Sequence, residues 1–278
     1  MSPKEFEAQS TTPLIRAAAQ GQTAEVKRLL DSGFSPDEAS EHGITPLMAA
    51  ARKNQVAVVS LLLAAGARTD IRDSQGSTAT HFACLGNSPE SIRLLAKKGA
   101  PLEIKDEFDL TPLMIAVRFG SLATLKALVE SGVSIYTADP NGWTALHFAI
   151  PRADTEIFEY LLDQNPTLDQ LDSDGESLPI IAIDYRIGDF AIRLFESGAP
   201  SMQADVDGNT PLHHAVVMND SKVVKWLIDR KVPINPTNNL GQTPLALAKK
   251  NAQSEIVQLL LGAGATAKNE STWDGPAL

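Results

Sequence analysis

Residues 205–235 read DVDGNTPLHHAVVMNDSKVVKWLIDRKVPIN, and this stretch is the clearest copy of a unit that recurs along the chain. Its centre is Thr210-Pro211-Leu212-His213, and a step of 33 residues in either direction reaches a counterpart each time. The eight copies begin at Thr12, Thr45, Thr78, Thr111, Thr144, Ser177, Thr210 and Thr243, without insertion or deletion. Self-similarity at a fixed period of this length predicts a stack of structural repeats rather than one globular core.

Each copy carries the signals of two short helices. Threonine followed by proline opens the first helix, because the hydroxyl can accept from free N–H groups and proline fits the first turn. In the second copy, Ala50 and Ala51 follow Leu47 by three and four residues, which places small apolar residues on one helix face. The second helix carries larger apolar residues, such as Val59 and Leu62, and most copies end it with glycine. One such helix pair cannot cover its own apolar faces.

A polar turn precedes each Thr-Pro, as in Asp205-Val206-Asp207-Gly208. With this turn, the units resemble ankyrin repeats, whose pattern of Asp and Gly, T-P-L-H, paired Ala, V-x-x-L-L and Gly-Ala is matched almost position for position from about residue 7 to residue 266. The resemblance implies an all-α ankyrin-repeat solenoid, elongated and curved, with helix pairs, β-hairpin-like loops and a concave recognition surface. We predict a polar lead-in over residues 1–10, a single repeat domain over residues 11–266 and a tail over residues 267–278, in which Trp273 folds back on the last helices.

Composition narrows the class of protein. The 278 residues carry a formal net charge of −10, which argues against a nucleic-acid partner because a phosphate backbone repels acidic surfaces. Cys84 is the single cysteine and takes a small-residue position of a first helix, so we expect a buried thiol and no internal disulfide. The sequence shows no charged-then-apolar leader and no run of about 20 apolar residues, which predicts a cytoplasmic protein without a membrane span. We expect it to be a monomer.

Copies five and six depart most from the pattern. Pro151 lies near the end of a first helix and is expected to shorten it. Asn165-Pro166 replaces the usual Gly-Ala pair, and Ser177-Leu178-Pro179 shifts the proline by one place. These departures predict the loosest stacking between about Pro151 and Pro179.

Two places in each unit change freely from copy to copy: the hairpin turn and the end of the first helix. The helix-end positions point away from the apolar stripe, because successive residues turn by about 100°. In the middle copies these places hold aromatic residues and arginines, which are enriched in binding hot spots. The candidate partner-binding residues are Phe108, Leu110, Arg118, Phe119, Trp143, Arg152 and Tyr185. The alternative is that Phe108 and Trp143 pack on neighbouring hairpins and that Phe119 fills a gap between first helices.

Charge at the surface positions is uneven along the chain. The basic residues are Arg52, Lys53, Arg72, Lys105, Arg118 and Arg152, and the acidic residues that follow are Asp174, Glu176, Asp184 and Asp207. A partner would meet a basic half and an acidic half, which would fix its orientation more than its affinity. The alternative is a solvated surface on which the charges are grouped by accident.

The histidines give no sign of catalysis. His81, His147 and His213 occupy the fourth place of T-P-L-H, where the resemblance implies structural imidazoles that hydrogen-bond within the hairpin and the neighbouring turn. His214 and His42 have no cysteine or second histidine at metal-ligand spacing. We therefore predict no metal site at the histidines.

Other chemical motifs are equally weak. Asp172-Ser173-Asp174-Gly175 is similar to part of a calcium loop, but Gln170 and Ile181 stand where ligands are needed, so a repeat turn explains it better. The sequence contains no phosphate-binding loop and no nucleophile turn of known spacing. We predict no catalytic residues and no cofactor.

The leading hypothesis is a non-enzymatic protein-interaction module or scaffold that binds a peptide segment or folded domain of a partner protein on its concave hairpin and inner-helix surface. Trp143→Ala and Phe119→Ala are then expected to weaken binding and to cost little thermal stability. One alternative is an enzyme or ligand-binding protein with a pocket near Pro151 and residues 184–186. Another is a bacterial effector-type protein that binds a host protein. A third, an engineered consensus scaffold, is opposed by the irregular fifth and sixth copies.

Overall fold

The computed structural model of the protein describes residues 12–266, where the chain forms sixteen α-helices in pairs. The first helices of the pairs are α1 (Pro13–Ala19), α3 (Pro46–Arg52), α5 (Ala79–Leu85), α7 (Pro112–Phe119), α9 (Ala145–Arg152), α11 (Leu178–Asp184), α13 (Pro211–Val217) and α15 (Pro244–Lys250). The second helices are α2 (Thr23–Asp31), α4 (Val56–Ala64), α6 (Pro89–Lys97), α8 (Leu122–Glu130), α10 (Thr155–Asp163), α12 (Gly188–Glu196), α14 (Ser221–Asp229) and α16 (Ser254–Gly262). The predicted lead-in of residues 1–10 and tail of residues 267–278, with Trp273, lie outside the described residues.

The spacing of the helices follows the spacing of the sequence signals. Each first helix begins 33 residues after the one before it, and each second helix does the same. An antiparallel β-bridge joins Leu171 and Ser177 across one of the loops between helix pairs. The predicted all-α fold of eight helix pairs with hairpin-like loops is confirmed for residues 12–266.

Threonine opens the first helices as predicted. The hydroxyl oxygen of Thr45 accepts a hydrogen bond from the backbone N–H of Met48 at 3.3 Å. The same bond is made by Thr12 to Ile15, by Thr111 to Met114 and by Thr243 to Ala246. Each such cap satisfies one of the N–H groups that the start of a helix leaves without a partner.

The core lies between the helices of each pair and between successive pairs. The small residues Ala50 and Ala51 of α3 are fully buried, and so are the larger Val59 and Leu62 of α4. Cys84 takes the matching small-residue position of α5 and is also fully buried, and this burial raises the pKa of its thiol. The expectation of a buried thiol is confirmed.

Pro151 does not shorten its helix, contrary to the sequence prediction. The helix α9 has eight residues against seven in α1, and it continues through Pro151 to Arg152. The missing N–H of proline costs a hydrogen bond only in the last turn, after which Ala153 leaves the helix with a φ of 54°. Asn165 replaces the helix-ending glycine with a φ of 54°, a left-handed conformation that asparagine tolerates better than most residues.

The residues group into two compact units. Unit one contains the described residues up to Asp139 together with Thr155–Leu161, and unit two contains Pro140–Asp154 and the described residues from Leu162 onward. The division passes through the fifth repeat. The single domain over residues 11–266 and the looser stacking between Pro151 and Pro179 stay predictions.

Hydrogen bonds join neighbouring hairpins within each unit. In unit one, Ser74 donates its backbone N–H to the carbonyl of His42 at 2.9 Å, and in unit two Asn239 donates to Asp207 at 2.8 Å. Gly43 lies at the first of these contacts with a φ of 77°, and a Cβ atom there would approach the Cα of Asp73 to 2.9 Å. The hairpins therefore approach so closely that only glycine fits at position 43.

We expect Gly43→Ala to lower the free energy of unfolding more than Gly33→Ala. Both glycines have positive φ, which costs alanine about 1 kcal/mol, but a Cβ at Gly33 would meet nothing within 4 Å. The clash with the neighbouring hairpin should add about 1–3 kcal/mol at Gly43 alone. Urea unfolding of the two variants measures this difference, and equal losses would show that the close hairpin contact contributes nothing.

Candidate functional site

One acidic or amide residue holds five of the hairpins in shape. Asp106 accepts the backbone N–H groups of Phe108 and Leu110 through the same carboxylate oxygen, both at 2.9 Å. The equivalent bonds are made by Asp73 to Gln75 and Ser77, by Asp172 to Asp174 and Glu176, by Asp205 to Asp207 and Asn209, and by Asn238 to Leu240 and Gln242. The tips of these hairpins are therefore fixed by side-chain to backbone bonds. The turn that is similar to a calcium loop is explained by this role of Asp172.

Where the fourth place of the pattern is histidine, its ring accepts a hydrogen bond from the backbone N–H of the threonine that precedes the first helix. The backbone N–H of Thr210 donates to Nδ1 of His213 at 3.1 Å, so Nδ1 is unprotonated and Nε2 carries the hydrogen. Nε2 then donates to the carbonyl of Gln242 in the next hairpin at 3.1 Å. Burial is the main cause that lowers the pKa of His213, which keeps the imidazole neutral.

The same cap recurs at two other histidines, His81 in unit one and His147 in unit two. His81 accepts from the N–H of Thr78 at 3.1 Å and donates to the carbonyl of Leu110 at 3.3 Å, and burial lowers its pKa. His147 accepts from Thr144 at 3.1 Å in the same way. The structural role that the sequence predicts for these imidazoles agrees with the observed bonds.

The four candidate residues of unit one all belong to the fourth repeat. Phe108 at the hairpin tip is 65% exposed and Phe119 at the end of α7 is 55% exposed. The guanidinium of the exposed Arg118 lies over the Phe119 ring, 5.1 Å from its centroid. Leu110 is half-buried, and its carbonyl accepts from the backbone N–H of Asp106 at 3.0 Å. Two aromatic rings and one arginine of this repeat thus face solvent.

The candidate residues of unit two have different surroundings. Trp143 is half-buried, its Nε1 donates to Oδ2 of Asp172 at 3.2 Å, and its ring packs edge-on against Phe148 with centroids 5.4 Å apart. Arg152 is exposed, with its Nε 3.4 Å from Oδ2 of Asp154. Tyr185, directly after α11, is 50% exposed. Trp143 therefore packs on its own helix and on the next hairpin, as the alternative interpretation holds.

Two of the predicted basic surface residues, Arg72 and Lys105, donate hydrogen bonds that link neighbouring hairpins. Arg72 donates to the carbonyl of Gly76 at 2.9 Å and to that of Lys105 at 2.7 Å. Lys105 in turn donates through Nζ to the carbonyl of Ala138 at 3.0 Å. These bonds run from one hairpin to the next, so Arg72 and Lys105 are structural as well as charged.

The residues of the alternative pocket have separate partners. Asp184 accepts from His214 at 3.0 Å, whereas Arg186 donates to the carbonyl of Met218 at 3.3 Å. The Tyr185 side chain between them is half exposed to solvent. Asp184 and Arg186 thus each bond to the seventh repeat, one to a side chain of α13 and the other to the carbonyl of the residue that ends it.

His214 is the feature that sequence reasoning missed. Its Nδ1 lies 3.0 Å from Oδ1 of Asp184, and its Nε2 lies 2.9 Å from Oδ2 of Asp205. Burial acts to lower the pKa of His214, but the hydrogen bonds and charges of the two carboxylates outweigh it and the pKa is raised. The only sequence signal was a second histidine directly after His213, at a position where the other repeats have no histidine.

Comparison with known proteins agrees with this architecture. The family described as "Ankyrin repeats (3 copies)" matches residues 2–73, 65–139 and 180–271, and the one described as "Ankyrin repeats (many copies)" matches residues 118–162. The chain belongs to the ankyrin repeat family. Ankyrin repeats are generally non-catalytic protein-interaction modules, so the family agrees with a binding role for this chain.

Several curated ankyrin-containing proteins match part of the chain. The human Neurogenic locus notch homolog protein 4 is 35% identical over 92 residues, which are 33% of this chain and 5% of that protein. The mouse B-cell lymphoma 3 protein homolog is 40% identical over 74 residues, which are 24% of this chain and 16% of that protein. The Escherichia coli ankyrin repeat protein YahD is 40% identical over 63 residues, 21% of this chain and 31% of that protein. The matches thus span less than a third of the length of each of these relatives.

None of the helices in residues 12–266 of this ankyrin repeat chain combines the length and the apolar character needed to cross a membrane.

The packing of Trp143 changes the outcome expected for its substitution. We now expect Trp143→Ala to cost about 1–3 kcal/mol of unfolding free energy, because it removes a hydrogen bond to Asp172 and a partly buried ring. Phe119→Ala, at a 55% exposed position, should cost about 0.5 kcal/mol or less. Chemical denaturation of both variants tests the contrast. Similar small losses would mean that the Trp143 contacts do not support the ankyrin stack.

Proposed function

We propose that this protein is a non-enzymatic interaction module that binds a partner protein through its exposed hairpin tips and first-helix ends. The observation that carries the proposal is the exposure of Phe108 and Phe119 in one repeat, at 65% and 55%, with Arg118 over the second ring. Large aromatic side chains and arginine dominate protein interfaces, since they bury much area at a small cost in side-chain entropy. Exposed aromatic residues on rigid elements are therefore suited to recognition.

The bonding of the fourth hairpin supports the same proposal. Phe108 and Leu110 are held by Asp106, so the backbone that presents the Phe108 ring is ordered before any partner arrives. A preordered segment loses less conformational entropy on binding than a mobile loop does. The hairpin can thus contribute apolar contact without first having to fold.

In unit two we propose that Tyr185 and Arg152 contribute contacts and that Trp143 acts indirectly, through its hydrogen bond to Asp172 of the next hairpin. Asp174 and Asp207 are exposed on the hairpin tips of this unit, and Glu176 is half-buried beside them. Burial is the main cause that raises the pKa of Glu176, and repulsion from the Asp184 and Asp172 charges adds to it, while His214 acts to lower it. A partner segment that carries lysine or arginine would relieve this repulsion, and its binding should weaken as salt screens the charges.

The family membership and the separate partners of residues 184–186 favour binding over catalysis, and the enzyme alternative is not proposed. The cytoplasmic location, the monomeric state, the lack of a nucleic-acid partner and the bacterial-effector alternative stay predictions from the sequence. The partner is a protein segment or domain with an apolar surface for the fourth repeat.

The test begins with photo-crosslinking. A photoreactive phenylalanine analogue placed at Phe119 should capture a partner protein, whereas the same analogue at Tyr136 should not. Tyr136 is a suitable control because it is 50% exposed but follows the second helix α8, away from the hairpin tips and first-helix ends.

The captured partner then allows affinity to be measured. We expect Phe108→Ala/Phe119→Ala to weaken its Kd by at least about tenfold, as for hot-spot residues, and Tyr136→Ala to change it less than about twofold. Isothermal titration calorimetry supplies both values. Equal affinities for the double variant and the wild type would place the binding surface elsewhere on the chain.

A further inference from the structure

The side chain of His214 bridges two carboxylates that belong to different repeats. Asp184 is the last residue of α11 in the sixth repeat, and Asp205 belongs to the hairpin that precedes α13 in the seventh. Both nitrogen-to-oxygen distances, 3.0 and 2.9 Å, are hydrogen-bond distances. The His214 side chain is 13% exposed, and the side chains of Asp184 and Asp205 are 25% and 8% exposed. The bridge is therefore largely shielded from water.

The geometry fixes the protonation state of the bridge. An ionised carboxylate only accepts hydrogen bonds, so each ring nitrogen that faces one must carry a hydrogen. Neutral imidazole carries a hydrogen on one nitrogen only, and deprotonation would leave the other nitrogen lone pair against a carboxylate oxygen at about 3 Å. With both carboxylates ionised, the two bonds exist together only when His214 is the imidazolium cation.

The positive charge of His214 stabilises each carboxylate for a different reason. Asp184 lies at the carboxyl end of α11, where the partial negative charge of the helix disfavours an acidic side chain. Asp205 uses Oδ1 for the N–H groups of Asp207 and Asn209, at 2.9 and 2.7 Å, and Oδ2 for His214. The imidazolium therefore offsets the unfavourable charge of Asp184 at the helix end and fixes the carboxylate that shapes the seventh hairpin.

We propose that Asp184, His214 and Asp205 form a pH-responsive clamp between the sixth and seventh repeats, closed when His214 is protonated and opened when it loses a proton. The clamp does not rest on the partner binding proposed above, although Asp184 directly precedes Tyr185 and Asp205 shapes the hairpin that carries Asp207. Opening would release the seventh hairpin from the end of α11, while the neutral His213 would keep its own bonds to Thr210 and Gln242.

The charges around the clamp come from each element that packs there. Asp184 faces His214 from α11, Asp205 faces it from the seventh hairpin, and the Glu176 charge of the sixth hairpin also acts on it. His213 on the same helix interacts with His214 as well. The helix α15, which packs against α13, carries Lys249 and Lys250 in its last turn, where both are exposed to solvent. The carboxylates outnumber the cations near the ring.

The direction of the pH effect follows from linkage. The pKa of His214 is raised above its ordinary value of 6.5, so its contribution to stability is complete below 6.5 and is lost as pH rises through the folded-state pKa. Burial acts to raise the pKa of Asp205, but the bonds from His214 and Asn209 outweigh it and lower that pKa, so the clamp also weakens in strong acid. The clamp is closed in mildly acidic solution and opens through the neutral to alkaline range.

Two measurements on the full chain test the clamp. In the wild-type protein, NMR should show both ring nitrogens of His214 protonated at about pH 5.5, with a titration midpoint above that of the same imidazole in the urea-unfolded chain. A midpoint at or below the unfolded value would overturn the proposal, and this result needs no variant to fold.

The second measurement uses thermal unfolding from about pH 5.5 to about pH 9. The Tm difference between wild type and His214→Gln should be largest at the acidic end and shrink by about half or more at the alkaline end. Asp184→Asn should show a smaller loss with the same direction, because one of two carboxylates remains. His42→Gln, at an exposed position on the second hairpin, is the matched control for the loss of a histidine side chain. A His214→Gln difference that is constant with pH would contradict the clamp.

Discussion

Within each of the two units, the structure depends on the contact between one repeat and the next. Its helices are seven to nine residues long, shorter than the roughly 12–15 residues at which isolated helices become even marginally stable in water. Residues such as Ala50 and Ala116 are fully buried because neighbouring helices on more than one side cover them. Stability therefore resides between repeats, and a change that separates two repeats removes support from both.

The same hairpin residues hold their own turn and link it to its neighbours. Asp205 accepts two backbone N–H groups of its hairpin through one carboxylate oxygen and a hydrogen bond from His214 through the other. Asp172 likewise accepts a hydrogen bond from the Trp143 side chain through Oδ2. Such bonds order the loops that in most folds would be the mobile part. A surface built from ordered loops can present side chains to a partner with little entropy left to lose.

The sequence predicts the helix pairs well because every copy repeats the same local signals at the same spacing. It fails where an outcome depends on a side chain about one repeat away. Trp143 was expected to be a surface residue, but it bonds to Asp172, which is 29 residues away in the sequence. The bond between Asp184 and His214 was not predicted because 30 residues separate the two. Pro151 was misjudged for another reason, since a missing N–H matters little in the final turn of a helix.

Variation between repeats is therefore not enough to identify a binding position. Trp143 and Arg72 both stand at variable positions, yet each makes contacts within the stack. Phe108 and Phe119 vary and also expose more than half of their surface. A side chain that contacts the neighbouring repeat would have to break those contacts in order to bind a partner, and this would lower the stability of the stack. The fourth repeat, where aromatic rings are variable and exposed together, is accordingly the strongest candidate for recognition.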